Sequence, residues 1–263
     1  MMKKRPPQAS STSWQKVEKW YNEAVGPEGH YYHQHIVLPG VLKLFDLKKA
    51  EHVSVLDLAC GQGVLARHLS PNVAYTGIDI APSFIKAARE YDANPKHEYF
   101  VGDATKPLSV RKKDFTHAAI ILALQNIEHP LLALKNAYEH LQPGGSLVIV
   151  LNHPCFRIPR QSSWKIDEQN KIQYRRMDRY FTPLQIPIQA HPSKGEKSVT
   201  TLSFHYPLSA YTQWLNEAGF SITLIEEWCS NKESIGKAAK MENRAREEFP
   251  LFLTIKAKKE VKS

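Results

Sequence analysis

Apolar positions along this chain change period several times, and each change marks an element. Residues 53–58 read Val53-Ser-Val-Leu-Asp-Leu58, apolar first in alternation and then almost without a break, the pattern of a buried strand. A turn carrying Gly61 and Gly63 follows, and Val64-Leu-Ala-Arg-His-Leu69 returns to helical spacing. Apolar strand patterns recur at 73–79, 99–104, 118–122 and 142–151, with a helical stretch at 130–141 before the last of them. This alternation predicts βα units and a parallel sheet over 53–151. Helical spacing resumes at 209–218 and stops at Gly219, a C-cap residue, and 220–228 and 252–258 read as two further strands.

The flanking segments break this rhythm. Residues 1–13 are polar and proline-bearing, which predicts a disordered tail. Apolar or aromatic residues at 14, 17, 20 and 21 have helical spacing, then Gly26-Pro-Glu-Gly29 interrupts, and 35–46 resumes with Ile36, Leu38, Val41, Leu42 and Phe45. Residues 14–50 are therefore expected to form an N-terminal helical cover. Residues 152–207 hold six prolines and little periodicity, with short strands expected at 172–174 and 199–205. They read as an insertion, a substrate lid, between 51–151 and 208–263, which together make one α/β domain. The chain of 263 residues is long enough for such a domain with its elaborations.

The order strand, acid, glycine turn, helix at 53–69 describes a nucleotide pocket, because glycines allow close backbone approach and a helix start offers free N–H groups. Gly61-x-Gly63-x-x-Ala66 also satisfies the dinucleotide fingerprint. Asp57 disfavours a pyrophosphate and suits a ligand carrying an ammonium or sulfonium. Asp79 ends the next strand 16 residues beyond Gly63, where an acid grips ribose hydroxyls of either ligand. Gly102-Asp-Ala104 follows a third strand and places Asp103 where it can accept from an adenine amino group.

With these pieces in order, the chain resembles the class I S-adenosylmethionine-dependent methyltransferases. The resemblance rests on Asp57-Leu-Ala-Cys-Gly-Gln-Gly63, Asp79, Gly102-Asp-Ala104, Leu124-Gln-Asn-Ile-Glu-His-Pro130 and Leu141-Gln-Pro-Gly-Gly145. It covers residues 53–151 and is nearest the group that includes quinone-biosynthesis and other small-molecule enzymes. It implies a Rossmann-like, doubly wound, seven-stranded sheet with an antiparallel last strand. It also implies S-adenosylmethionine as cofactor, held by Tyr21, Tyr32, His35, Asp57, Ala59, Gly61, Gly63, Asp79, Ile80, Asp103, Ala104, Ile121 and Leu122. His129 stands where the family commonly has an acid.

A narrower resemblance lies after the fifth strand, in Asn152-His-Pro-Cys-Phe156, Trp164, Asp178-Arg-Tyr180, Phe204-His-Tyr206 and Leu215-Asn-Glu-Ala-Gly-Phe220. These match a subgroup of bacterial small-molecule methyltransferases with a His-Pro, a Trp, a Tyr and a Tyr-His before the last helix, although His205-Tyr206 reverses that final pair. It implies substrate contacts at Gln125, Trp164 and Tyr206. His153 and His205 at the lid's edges are the candidate general bases, since histidine titrates near neutrality and an oxygen or thiol acceptor must lose a proton. His30, His33 and His35 lack a partnering Cys or acid pair at ligand spacing, so no metal site is expected.

The net charge of +9 is concentrated in Lys3, Lys4, Arg5 and in residues 152–200, which hold nine Lys/Arg against four Asp/Glu. This suits a small acidic acceptor, and a basic lid also allows an RNA methyltransferase as the less favoured alternative. Phe156, Trp164, Tyr174, Tyr180 and Phe181 read as a lid core in preference to base-stacking platforms. The sequence Ile121-Leu-Ala-Leu-Gln125 replaces the Asn/Asp-Pro-Pro-Tyr/Phe of methyltransferases acting on base or glutamine amino groups. A cofactor-binding sensor or scaffold is the non-enzymatic alternative. The start has no apolar run after its basic residues, so a secretory signal is not expected, and no apolar run reaches membrane-spanning length. Three cysteines make no disulfide framework, and a cytoplasmic location is expected.

Overall fold

The computed structural model describes residues 26, 28–47, 52–189, 198 and 200–261. The expected tail, the helix at 14–21 and Tyr21 lie outside the described residues. Five strands, β1 (Ser54–Leu58), β2 (Ala74–Asp79), β3 (His97–Val101), β4 (Phe115–Ile121) and β5 (Leu141–Asn152), arise from the apolar runs anticipated above. Two more, β10 (Phe220–Trp228) and β11 (Phe252–Lys259), complete a seven-stranded sheet of order β10-β11-β5-β4-β1-β2-β3. Neighbours from β3 to β5 pair in parallel, and β11 runs antiparallel to both β5 and β10. The doubly wound architecture with one antiparallel strand is as the resemblance implied.

Alternation along the central strands explains why the sheet is covered on both faces. Leu56, Leu58, Ile120, Leu147 and Ile149 join one core with helix α3 (Pro130–His140) and helix α4 (Leu208–Glu217). Val55, Ala119, Val148 and Val150 point the other way. They pack with α1 (Leu38–Phe45), the preceding π-helical turn His33–Val37, and α2 (Pro82–Tyr91). Asp57 shares its parity with Val55, so it faces the N-terminal cover.

Three expectations are corrected. The predicted helix at 64–69 is a run of turns ending in one 3-10 turn, Ala66–His68. Only six residues separate Gly63 from Ser70-Pro71, too few to repay the cost of nucleating an α-helix. The third strand stops at Val101, which leaves Gly102-Asp-Ala104 in the loop beyond it. The insertion holds two hairpins where two short strands were expected: β6 (Ser162–Asp167) with β7 (Ile172–Met177), and β8 (Leu184–Gln189) with β9 (Thr200–His205). A further helix, α5 (Ala239–Glu248), fills the connection between β10 and β11. Its polar first turn and weak apolar stripe hid it in the sequence.

Candidate active site

The sheet reverses winding between β1 and β4, and the crevice outside the carboxyl ends of these strands is where such folds bind ligands. Asp57 lies one residue from the end of β1 and is buried. The Tyr75 hydroxyl donates to its Oδ2 at 2.8 Å, while Oδ1 is buried with no hydrogen-bond partner among the described residues. Burial pushes Asp57 up to about 7, the Tyr75 bond opposes this, and the Asp79 charge adds to the rise. Asp79 is also buried, and its oxygens accept from the backbone N–H of Gly61 and of Ala81, both at 2.9 Å. Burial pushes Asp79 up to about 6 against the pull of these two bonds. Asp79 therefore braces the glycine turn directly, a role the ribose expectation did not include.

Ala59, Gly61 and Gly63 all have positive φ, which winds the backbone tightly above β1. Gly63 serves packing more than ligand approach, since a Cβ there would meet the Tyr99 ring and hydroxyl at 2.8 Å. Gly63→Ala is expected to destabilise the fold by about 2–4 kcal/mol, from left-handed strain plus overpacking, read as a lowered urea midpoint. The Cys60 thiol is pushed well up by burial and packs toward Gly77, in keeping with a structural reading. With no α-helix after Gly63, the turn lacks the helix N-terminus on which a pyrophosphate would sit. That geometry favours the sulfonium ligand over the dinucleotide.

The remaining expected cofactor contacts separate. Ala104 is buried beyond β3, and Asp103 beside it accepts from the backbone N–H and hydroxyl of Thr105 through one oxygen, Oδ1. Ile121 and Leu122 leave β4 at the crevice, with Leu122 at φ 52°. Ile80 is exposed beside Asp79. Tyr32 is half-buried, its hydroxyl 3.2 Å from Ser230 Oγ, whereas His35 is exposed, its ring tilted against that of Tyr31. The buried histidine of the cover is His33, stacked 4.1 Å from His30 and drawn down to about 3, chiefly by burial. Gln62 was also missed: it is buried, donates to the Gly26 carbonyl at 2.6 Å, and leaves Oε1 unpartnered. Its place between the two turn glycines was the available clue.

A second polar group lies past β4. Gln125 is buried, donates to the Leu122 carbonyl at 2.8 Å, and keeps Oε1 unpartnered. Strand β9 packs on this turn, and Ser203 Oγ stands 3.4 Å from the Gln125 carbonyl. Period-2 alternation puts Thr201, Ser203 and His205 on that same face. His205 Nε2 donates to the Tyr180 carbonyl at 2.7 Å, so in the neutral ring Nδ1 is the acceptor. Burial lowers the His205 pKa and favours that neutral form.

His153 differs. Its Nε2 bonds Glu227 Oε1 at 2.6 Å and its Nδ1 accepts from the Cys155 and Phe156 N–H groups. With both nitrogens engaged it ties β5 to β10 and offers no lone pair to an acceptor. Tyr206 is half-buried, bonded to the Glu128 carbonyl and packed on Trp214. Trp164 instead stands by Phe249 and Arg175, in a cavity with Phe156 and Arg157. Among the described residues no cluster of His, Cys, Asp or Glu has the makings of a metal site.

The comparisons with known proteins agree with this geometry. The methyltransferase domain family matches residues 56–149. A demethylmenaquinone methyltransferase of Staphylococcus aureus is 27% identical over 107 residues, 39% of this chain and 44% of the relative. An S-adenosylmethionine-dependent methyltransferase from Mesorhizobium loti superposes with a TM-score of 0.63 at 23% identity, over 84% of this chain and 99% of that one. A Listeria monocytogenes protein assigned as an S-adenosylmethionine-dependent methyltransferase gives 0.62 at 26% identity, over 88% and 98%. The chain carries a methyltransferase domain at residues 56–149, on a fold similar to that of S-adenosylmethionine-dependent methyltransferases. It spans less than half the length of the curated relative it matches. No helix among the described residues is long and apolar enough to cross a membrane.

The crevice residues fit S-adenosylmethionine. The unpartnered Asp57 Oδ1 is a buried acceptor suited to an ammonium. Asp79 keeps lone pairs for hydroxyls beyond the two amides it accepts from. Because burial holds both carboxyls high, the free protein binds more protons than its unfolded chain between about pH 4 and 7, and their contribution to its stability falls as pH rises through that window. Binding an ammonium favours the ionised form of Asp57. Cofactor affinity is therefore expected to rise with pH up to about 7, with protons released, as calorimetry in buffers of different ionisation enthalpy would show.

Proposed function

We propose that this protein transfers a methyl group from S-adenosylmethionine to a small-molecule acceptor. The observation that carries the reading is the buried polar crevice at the ligand end of the sheet, where Asp57 Oδ1, Gln62 Oε1 and Gln125 Oε1 all lack partners among the described residues. When bound, S-adenosylmethionine supplies a methyl group made electrophilic by its sulfonium. Asp57, Asp79 and Asp103 orient the cofactor, and β8–β9 covers the turn at Gln125 to exclude water. His205 takes the proton of an oxygen or thiol acceptor at Nδ1, while the Tyr180 carbonyl holds the ring's tautomer.

A metabolite-sized acceptor is supported by the Staphylococcus relative's quinone substrate class and by the use of the insertion's aromatics. Phe156 and Trp164 pack on Phe249, and Tyr180 receives the Leu208 N–H, contacts of a lid core and not of base-stacking platforms. The three cysteines are free, which suits a reducing cytoplasm. Incubating the protein with methyl-labelled S-adenosylmethionine and a protein-free metabolite extract is expected to move label into one or a few small molecules. Label appearing only in added RNA, or nowhere, would sink the reading.

A further inference from the structure

We propose that Arg157 and Arg175 form an oxyanion-binding subsite for the methyl acceptor, which carries a carboxylate or phosphate on a planar fragment. The inference rests on the methyltransferase reading and adds the acceptor's charge and shape. Arg157 follows β5, half-buried; its backbone N–H donates to the His153 carbonyl, and its side chain makes no hydrogen bond or ion pair among the described residues. Arg175 on β7 is held by three contacts. Its Nε donates to the Phe156 carbonyl at 2.8 Å, its Nη2 donates to Ser162 Oγ at 2.9 Å, and its guanidinium lies 4.9 Å over the Trp164 ring.

Arg157 and Arg175 line one cavity of about 150 Å³, with Phe156, Trp164 and Phe249 among its other walls and no acidic residue among the described ones. A cavity of roughly that volume accommodates a benzene ring. Burial lowers both arginines, the charge of Arg157 lowers Arg175 further, and no carboxylate among the described residues acts on either. Two like charges that feel each other, partly desolvated and with no counter-ion among the described residues, cost stability that an anion would restore. Guanidinium forks match carboxylate and phosphate oxygens, and the aromatic walls suit a flat ring.

The cavity's position fits an acceptor. It lies by the carboxyl end of β5 and the start of β11, at the same end of the sheet as Asp57. The charge of Arg157 reaches His30 and Tyr32 of the cover. On the other side, the Tyr180 hydroxyl meets Cys155, two residues before Arg157, and the Tyr180 ring centre is 6.2 Å from that of His205. The oxyanion is the handle and not the methylated atom, so the product keeps its charge.

Label transferred from S-adenosylmethionine into the metabolite extract should therefore be retained on an anion exchanger. Arg157→Gln and Arg175→Gln should each lower kcat/KM for the purified labelled acceptor by about ten- to a hundredfold, with cofactor affinity within about twofold of the parent. Arg157→Lys should recover part of the loss. In the unaltered protein, benzoate or phenyl phosphate should inhibit labelling at concentrations where benzamide does not, and the stronger of the two identifies the oxyanion. Label in a neutral or cationic product, unchanged kcat/KM in both Gln variants, or inhibition by neither anion would overturn the subsite while leaving the transferase standing. Cofactor bound with no label moved would overturn the transferase reading and the subsite with it.

Discussion

Asp57→Asn is expected to do two opposite things: stabilise the cofactor-free protein above pH 7 and weaken S-adenosylmethionine binding by about ten- to a hundredfold. Asp57 is buried, and its ionisation is displaced from an ordinary 3.8 to about 7, so above neutrality the fold carries a charge it resists. Removing that charge while keeping an oxygen for the Tyr75 hydroxyl should raise stability by about 2–4 kcal/mol at pH 8. The gain should shrink as pH falls toward 4, where the folded protein already holds the carboxyl protonated and the unfolded chain begins to take up the same proton. Thermal unfolding of parent and variant across pH, beside cofactor titrations, reads both halves. A variant that is less stable at every pH yet binds normally would show that Asp57 serves packing alone.

His205→Gln should lower kcat by about a hundredfold or more while cofactor affinity holds, because an amide can keep the Tyr180 carbonyl bond but cannot take a proton. In the parent, rate should rise with pH through a histidine pKa below the usual 6.5, the direction burial imposes on His205, and the variant should lose that step. His153→Gln is the internal contrast. Both His153 nitrogens are committed to Glu227 and the backbone, so its loss should register in stability more than in the pH profile. A His205→Gln enzyme within about threefold of the parent would assign His205 to architecture and point to an acceptor whose lone pair needs no base.

The central sheet was legible in the sequence because its strands are buried on both faces, and long apolar runs such as 118–122 and 147–151 have few other uses. Asp57 and the glycine turn were legible because backbone geometry demands those residues locally. The insertion was legible only in part: β7 and β9 fall on the strands expected at 172–174 and 199–205, but their hairpin partners were missed, since β6 is largely exposed and β8 contains a proline. His35 and His33 illustrate the same limit in the cover, since a π-helical turn shifts the buried face by a residue relative to α-helical counting. Tyr75 meets Asp57, Gln62 meets Gly26, and Arg157 meets the cavity at Trp164 through contacts between elements, which no local spacing records.

Calorimetric titration with S-adenosylmethionine and with its demethylated product tests the central claim most directly. The crevice at Asp57 and Asp79 predicts saturable binding of both at one site per chain, accompanied by proton release below pH 7. Binding by neither would contradict the account.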